Sequence, residues 1–139
     1  MERSTVFFPR VAWRAALAAG LLAASGLAGA QIPGVTVNAL QRTGLSGDEQ
    51  REVVMLSVEF APGTGLPRHT HPGDEFATIL SGTVELRVDG QEARRLSAGQ
   101  SYHNPRGSAH EARNVGDGPA RMISVFVIDR GRPVTQPAP

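Results

Sequence analysis

Two histidines one residue apart, His69 and His71, lie in a stretch (residues 63–82) that reads GTGLPRHTHPGDEFATILSG. In an extended strand that spacing puts both imidazoles on one face, roughly 6.6 Å apart along the backbone. Pro72 and Gly73 then break the strand, since proline fixes φ and glycine permits a tight reversal. Glu75 opens the next segment, so a hairpin would carry its carboxylate back towards the two rings. A second stretch, residues 99–114, reads GQSYHNPRGSAHEARN and offers His110 after a Pro-x-Gly turn at Pro105 and Gly107. Three imidazoles and one carboxylate suit a divalent transition metal. A set of His69, His71, Glu75 and His110 leaves one or two positions for water, substrate or dioxygen. Such a set requires a fold that brings distant strands to one point.

The rest of the chain supplies strands. Residues 51–60 place Val54, Leu56, Val58 and Phe60 on one face and Val53, Met55, Ser57 and Glu59 on the other. Residues 83–88 turn Val84, Leu86 and Val88 inward and Glu85 and Arg87 outward, and Asp89-Gly90 reads as a two-residue hairpin. Residues 121–129 form a long apolar strand, with Met122, Phe126 and Ile128 on one face and Ile123, Val125 and Val127 on the other. No segment after residue 30 has sustained helical periodicity. Short strands between frequent turn signals predict an all-β sandwich or barrel.

The two stretches resemble the paired motifs of the cupins. Gly63, His69, His71, Glu75 and Gly82 match the first motif at every defined position, and Gly99, Pro105, Gly107, His110 and Asn114 match the second. The short linker between them is similar to that of small single-domain bacterial cupins. The resemblance implies a double-stranded β-helix, a jelly-roll barrel with the metal inside its mouth. It also implies a homodimer.

Residues 1–30 resemble a secretory signal peptide: Arg3, Arg10 and Arg14, an apolar stretch over residues 15–24, then Ala28-Gly29-Ala30 for cleavage before Gln31. The apolar stretch is short for a bilayer span, which needs about 20 residues. The expected location is therefore the periplasm or the exterior, without a stable membrane anchor. Residues 31–50 read as a linker and edge strand, 51–130 as the cupin barrel, and 131–139, with three prolines, as a mobile tail. Beyond residue 30 the charges are 11 Arg against 12 acidic residues, so no basic face for nucleic acid is expected. The absence of cysteine excludes a disulfide, a thiol nucleophile and a thiolate metal site.

The expected cofactor is one divalent ion: iron, manganese, zinc, nickel or copper. Glu75 is either a fixed ligand or a ligand that swings off to act as general base. Weaker candidates for substrate contact are His103, Tyr102, Arg68 and Phe126. By alternation His103 and Tyr102 face opposite ways, so at most one enters the barrel. Phe126 also reads as core, and Arg68, like Arg106, as an exposed arginine. Two functions follow. One is a small metalloenzyme of dioxygenase, isomerase or lyase type, acting on a small oxygenated or aromatic molecule. The other is a non-catalytic protein that holds a metal or small ligand outside the cytoplasm.

Overall fold

The computed structural model describes residues 31–139; the expected signal peptide and its cleavage site lie outside the described residues. Ten strands occur there: β1 (Val35–Leu45), β2 (Asp48–Phe60), β3 (Gly65–Thr70), β4 (Gly73–Ser81), β5 (Thr83–Val88), β6 (Arg94–Ser97), β7 (Ser101–Asn104), β8 (His110–Asn114), β9 (Ala120–Asp129) and β10 (Gln136–Pro137). They form two five-stranded sheets, ordered β1-β2-β9-β4-β7 and β10-β3-β8-β5-β6. Every pairing is antiparallel. This is the all-β jelly roll that the alternation and the motifs predict.

Period-two patterning places the core. Val54, Val58 and Phe60 of β2, Ala77 and Ile79 of β4, Val84 and Leu86 of β5, and Met122, Phe126 and Ile128 of β9 are buried between the sheets. Burying one such side chain contributes about 1.5–3 kcal/mol. The strand β9 carries Ser124 on that same buried face, where the apolar pattern alone would not place it. Because β9 lies between β2 and β4, it is interior to its sheet and offers no edge to a second subunit.

Two close approaches fix the path around the site. Gly82 turns the chain between β4 and β5 with φ of 76°, and a Cβ there would meet Ala120 at 2.7–2.8 Å. Gly73 has no room either: a Cβ would stand 2.0 Å from the carbonyl oxygen of Val127 in β9. Only glycine lets β4 dock on β9 at its first residue, two positions before Glu75.

The structure departs from the sequence reading in three places. The segments carrying His71 and Glu75 are not a hairpin, because β3 belongs to one sheet and β4 to the other. Pro72 carries the chain across the barrel instead. Asp89-Gly90 does turn, with the Gln91 amide donating to the Val88 carbonyl at 3.0 Å, but ladder pairing resumes only at Leu86 with Arg94. Residues 131–139, read as a mobile tail, are tied down: Gln136 and Pro137 pair with Thr70 and His69 of β3.

Candidate metal centre

One sheet supplies the histidines. His69 and His110 are directly opposed on β3 and β8, and His71 follows the end of β3. Their ligating nitrogens all lie within 4.8 Å of one another, and all three residues are buried. Each Nδ1 faces a main-chain carbonyl: His69 to Pro67 at 2.6 Å, His71 to Val134 at 2.7 Å and His110 to Ser108 at 2.8 Å. A carbonyl only accepts, so each Nδ1 carries the proton and donates it. In the neutral ring, Nε2 is then left as a bare lone pair, the arrangement that metal-ligating histidines show.

The facing sheet supplies the carboxylate. Glu75 Oε2 lies 3.3 Å from His110 Nε2 and 3.6 Å from His71 Nε2. Three buried neighbours hold it there. Asn104 Nδ2 donates to Oε2 at 2.9 Å, while Ser124 Oγ at 2.9 Å and Tyr102 OH at 3.3 Å donate to Oε1. Burial would raise the Glu75 carboxyl, but in the metal-free site His110 and His71, when they carry a proton on Nε2, outweigh it and hold the pKa well below its ordinary 4.5. Burial and the nearby carboxylate push the Tyr102 phenol the other way, well above its ordinary 10. Tyr102 is thus a neutral donor and Glu75 an anion.

A metal ion fits this donor set. His71 Nε2 is the one buried side-chain nitrogen or oxygen among the described residues without a hydrogen-bond partner. A buried polar atom left unpaired costs about 1–3 kcal/mol. Coordination to a cation would satisfy it, and neutral imidazole beside carboxylate is the chemistry that zinc, iron, manganese, nickel and copper accept.

The four weaker candidates separate. Tyr102 and Phe126 face inward; the Phe126 ring lies 4.7 Å from that of His71, as a wall of the site and part of the core. His103 faces outward, stacks on exposed Phe76 at 4.6 Å and reaches Asp74 at 3.3 Å. Arg68 is exposed and bound to Asp89, and Arg106 to Asp129. An open cleft of about 1800 Å³ runs between β1 and β10, with Val54, Leu56, Leu66 and His69 in its lining. Asn104 and Ser124 were not among the expected site residues. Alternation could have found them, since each is a small polar residue on an otherwise inward face.

The geometry sets an acid limit for the metal-free protein. Burial pushes His69 down to about 4 from its ordinary 6.5, against the opposing hydrogen bond to Pro67. The unfolded imidazole therefore takes a proton first as pH falls. Stability is fully present above pH 6.5 and is lost progressively towards pH 4, by up to about 3 kcal/mol. Urea midpoints of chelator-treated protein should fall across that window. Midpoints unchanged between pH 7 and pH 5 would contradict it.

Comparison with known proteins agrees with this architecture. Residues 56–126 match the family model described as "Cupin domain". A germin-like protein 5-1 of Oryza sativa subsp. japonica is 37% identical over 79 residues, which is 53% of this chain and 36% of the relative. The chain thus spans well under half the length of that relative. A solved oxalate oxidase in complex with the substrate analogue glycolate is 28% identical, with a TM-score of 0.56 over 70% of this chain and 52% of its own. KdgF from Halomonas sp. shares the fold, with 24% identity and a TM-score of 0.60 over 71% of this chain and 83% of its own. With both motifs in register, the histidines converged and the family model spanning half the sequence, the chain belongs to the cupin domain family.

Proposed function

We propose that the protein is an exported metalloenzyme that transforms a small oxygenated or aromatic molecule at a centre held by His69, His71, His110 and Glu75. One observation carries the reading: three Nε2 atoms with their lone pairs free are gathered around a clamped carboxylate, and His71 Nε2 has no protein partner. Three neutral imidazoles and one carboxylate leave a divalent ion with formal charge +1, which polarises a bound carbonyl, enolate or water oxygen. The chain's own residues do the rest. Glu75 is held by three donors, which favours a fixed ligand over a mobile base. Phe126 keeps one wall of the site apolar and excludes water. The cleft beside His69 has a largely apolar lining, and Arg42 and Arg68 in that lining are already paired with Glu52 and Asp89.

The similarity to an oxalate oxidase supports an oxygen-rich substrate class for this site. The self-association that the family resemblance implies has the exposed edge of β1 and outward Phe76 and Leu80 at its disposal. The test is metal analysis of protein from its native compartment, followed by oxygen-uptake and product assays on small diacids, catechols, flavonols and diketones. Turnover that depends on bound metal and vanishes in Glu75→Gln is expected. Stoichiometric metal with tight ligand binding and no turnover would transfer the protein to the non-catalytic reading.

A further inference from the structure

The segment after β9 is tied to the barrel at four successive points, two of which reach the candidate ligands His71 and His69. At its root the Gly131 amide donates to the buried Glu52 carboxylate at 3.0 Å, and Arg42, paired with the same carboxylate, donates to the Arg132 carbonyl at 3.1 Å. Val134 then packs its side chain against Val54, Phe126 and Ile128. The Val134 carbonyl accepts the His71 Nδ1 proton at 2.7 Å. Beyond it Gln136 and Pro137 pair with Thr70 and His69, and Arg68 donates to the Pro139 carbonyl at 2.6 Å.

The contrast with the other two rings is informative. His69 and His110 each donate to a carbonyl two residues away in their own strand regions, to Pro67 and Ser108. Those contacts come with the local backbone. The acceptor for His71 comes from 63 residues further along the chain. Without it Nδ1 has no fixed acceptor, and the ring is free to rotate or to move its proton to Nε2, where it would block coordination.

We propose that residues 131–137 form a positioning strap, whose docked Val134 carbonyl sets the tautomer and orientation of His71 and so couples closure of the segment to metal binding. The inference rests on the metal centre proposed above. Coupling of this kind is reciprocal: whatever the strap adds to metal affinity, the metal returns to strap docking. The wall that the strap adds to the cleft beside His69 makes the same docking shape ligand access.

The test uses the full chain with cobalt(II) or zinc(II) as probe, chelator competition to measure affinity, and hydrogen exchange on the strap amides. Val134→Asp removes the apolar anchor, and Val134→Ile keeps it. Val134→Asp should weaken metal binding by about 10–100-fold, the range found for lost outer partners of ligating histidines. Val134→Ile should stay within about threefold of the parent, well under the effect of losing an outer partner. In the parent protein, metal should slow exchange at the amides of residues 134–136 more than at β5 and β6 on the far side of the same sheet. A purely structural anchor would lower the thermal midpoint of Val134→Asp without that metal-dependent protection. A folded Val134→Asp protein with parental affinity, or strap exchange indifferent to metal, would overturn the strap. Failure of the parent itself to bind either metal would instead overturn the metal centre, and the strap with it.

Discussion

His110→Ala is expected to lower divalent-metal affinity by more than about 100-fold, beyond the 10- to 100-fold range of outer-partner losses. His110 Nε2 is one of the three converging nitrogens and lies nearest the carboxylate, 3.3 Å from Glu75 Oε2. Removing the ring takes away one of the three nitrogens that face a common point. The effect should also appear in stability. A metal present at 100 times its dissociation constant adds about 2.7 kcal/mol to the folded state. For a domain of this size each kcal/mol moves the thermal midpoint by about 4–8 °C. Chelator should therefore lower the midpoint of the parent by roughly 10–20 °C and leave His110→Ala nearly unmoved. A midpoint indifferent to chelator in the parent, with metal absent from purified protein, would remove the basis for a metal centre. Calorimetry or fluorescence scans with and without chelator decide the matter.

The candidate ligands were legible in the sequence because each lies close to a turn residue that fixes its strand. Pro72 and Gly73 separate His71 from Glu75, and Pro105 and Gly107 precede His110, so spacing and the resemblance to the two cupin motifs together order the set. The alternation of Val54, Val58 and Phe60 likewise announced an inward face, and burial follows it. Local chemistry could not say which sheet each strand joins. A Pro-Gly pair reads the same in a hairpin and in a crossover, and here it is a crossover that sets Glu75 opposite the rings rather than beside them. Nor could local chemistry show the strap. Residues 131–139 have no periodicity, and what orders them is remote: Glu52 and Val54 on β2 and His71 after β3. Ser124 and Asn104 fall between these cases. A polar residue on a buried face must find a partner, and both find it in the Glu75 carboxylate.

That acceptor gives the second large effect. Glu75→Leu should cost about 3–5 kcal/mol in the metal-free protein, a large fraction of the 5–15 kcal/mol that holds a typical domain together. The side chains are similar in volume, so the cost is electrostatic. The mutation strips an acceptor from Tyr102 OH, Ser124 Oγ and Asn104 Nδ2 at once, and all three residues are buried. Glu75→Gln should cost less, because its amide oxygen still accepts, though it would lose most of the metal affinity. The diagnostic variant adds Tyr102→Phe, Ser124→Ala and Asn104→Leu to Glu75→Leu. Replacing both sides of a buried polar contact is far gentler than removing one. Urea unfolding should therefore show the fourfold variant more stable than Glu75→Leu alone, by about 1–3 kcal/mol, a coupling of the size expected for residues in one network. If the added changes only deepen the loss, the donors are not held by Glu75, and the carboxylate that faces the three rings is not the anchor of this site.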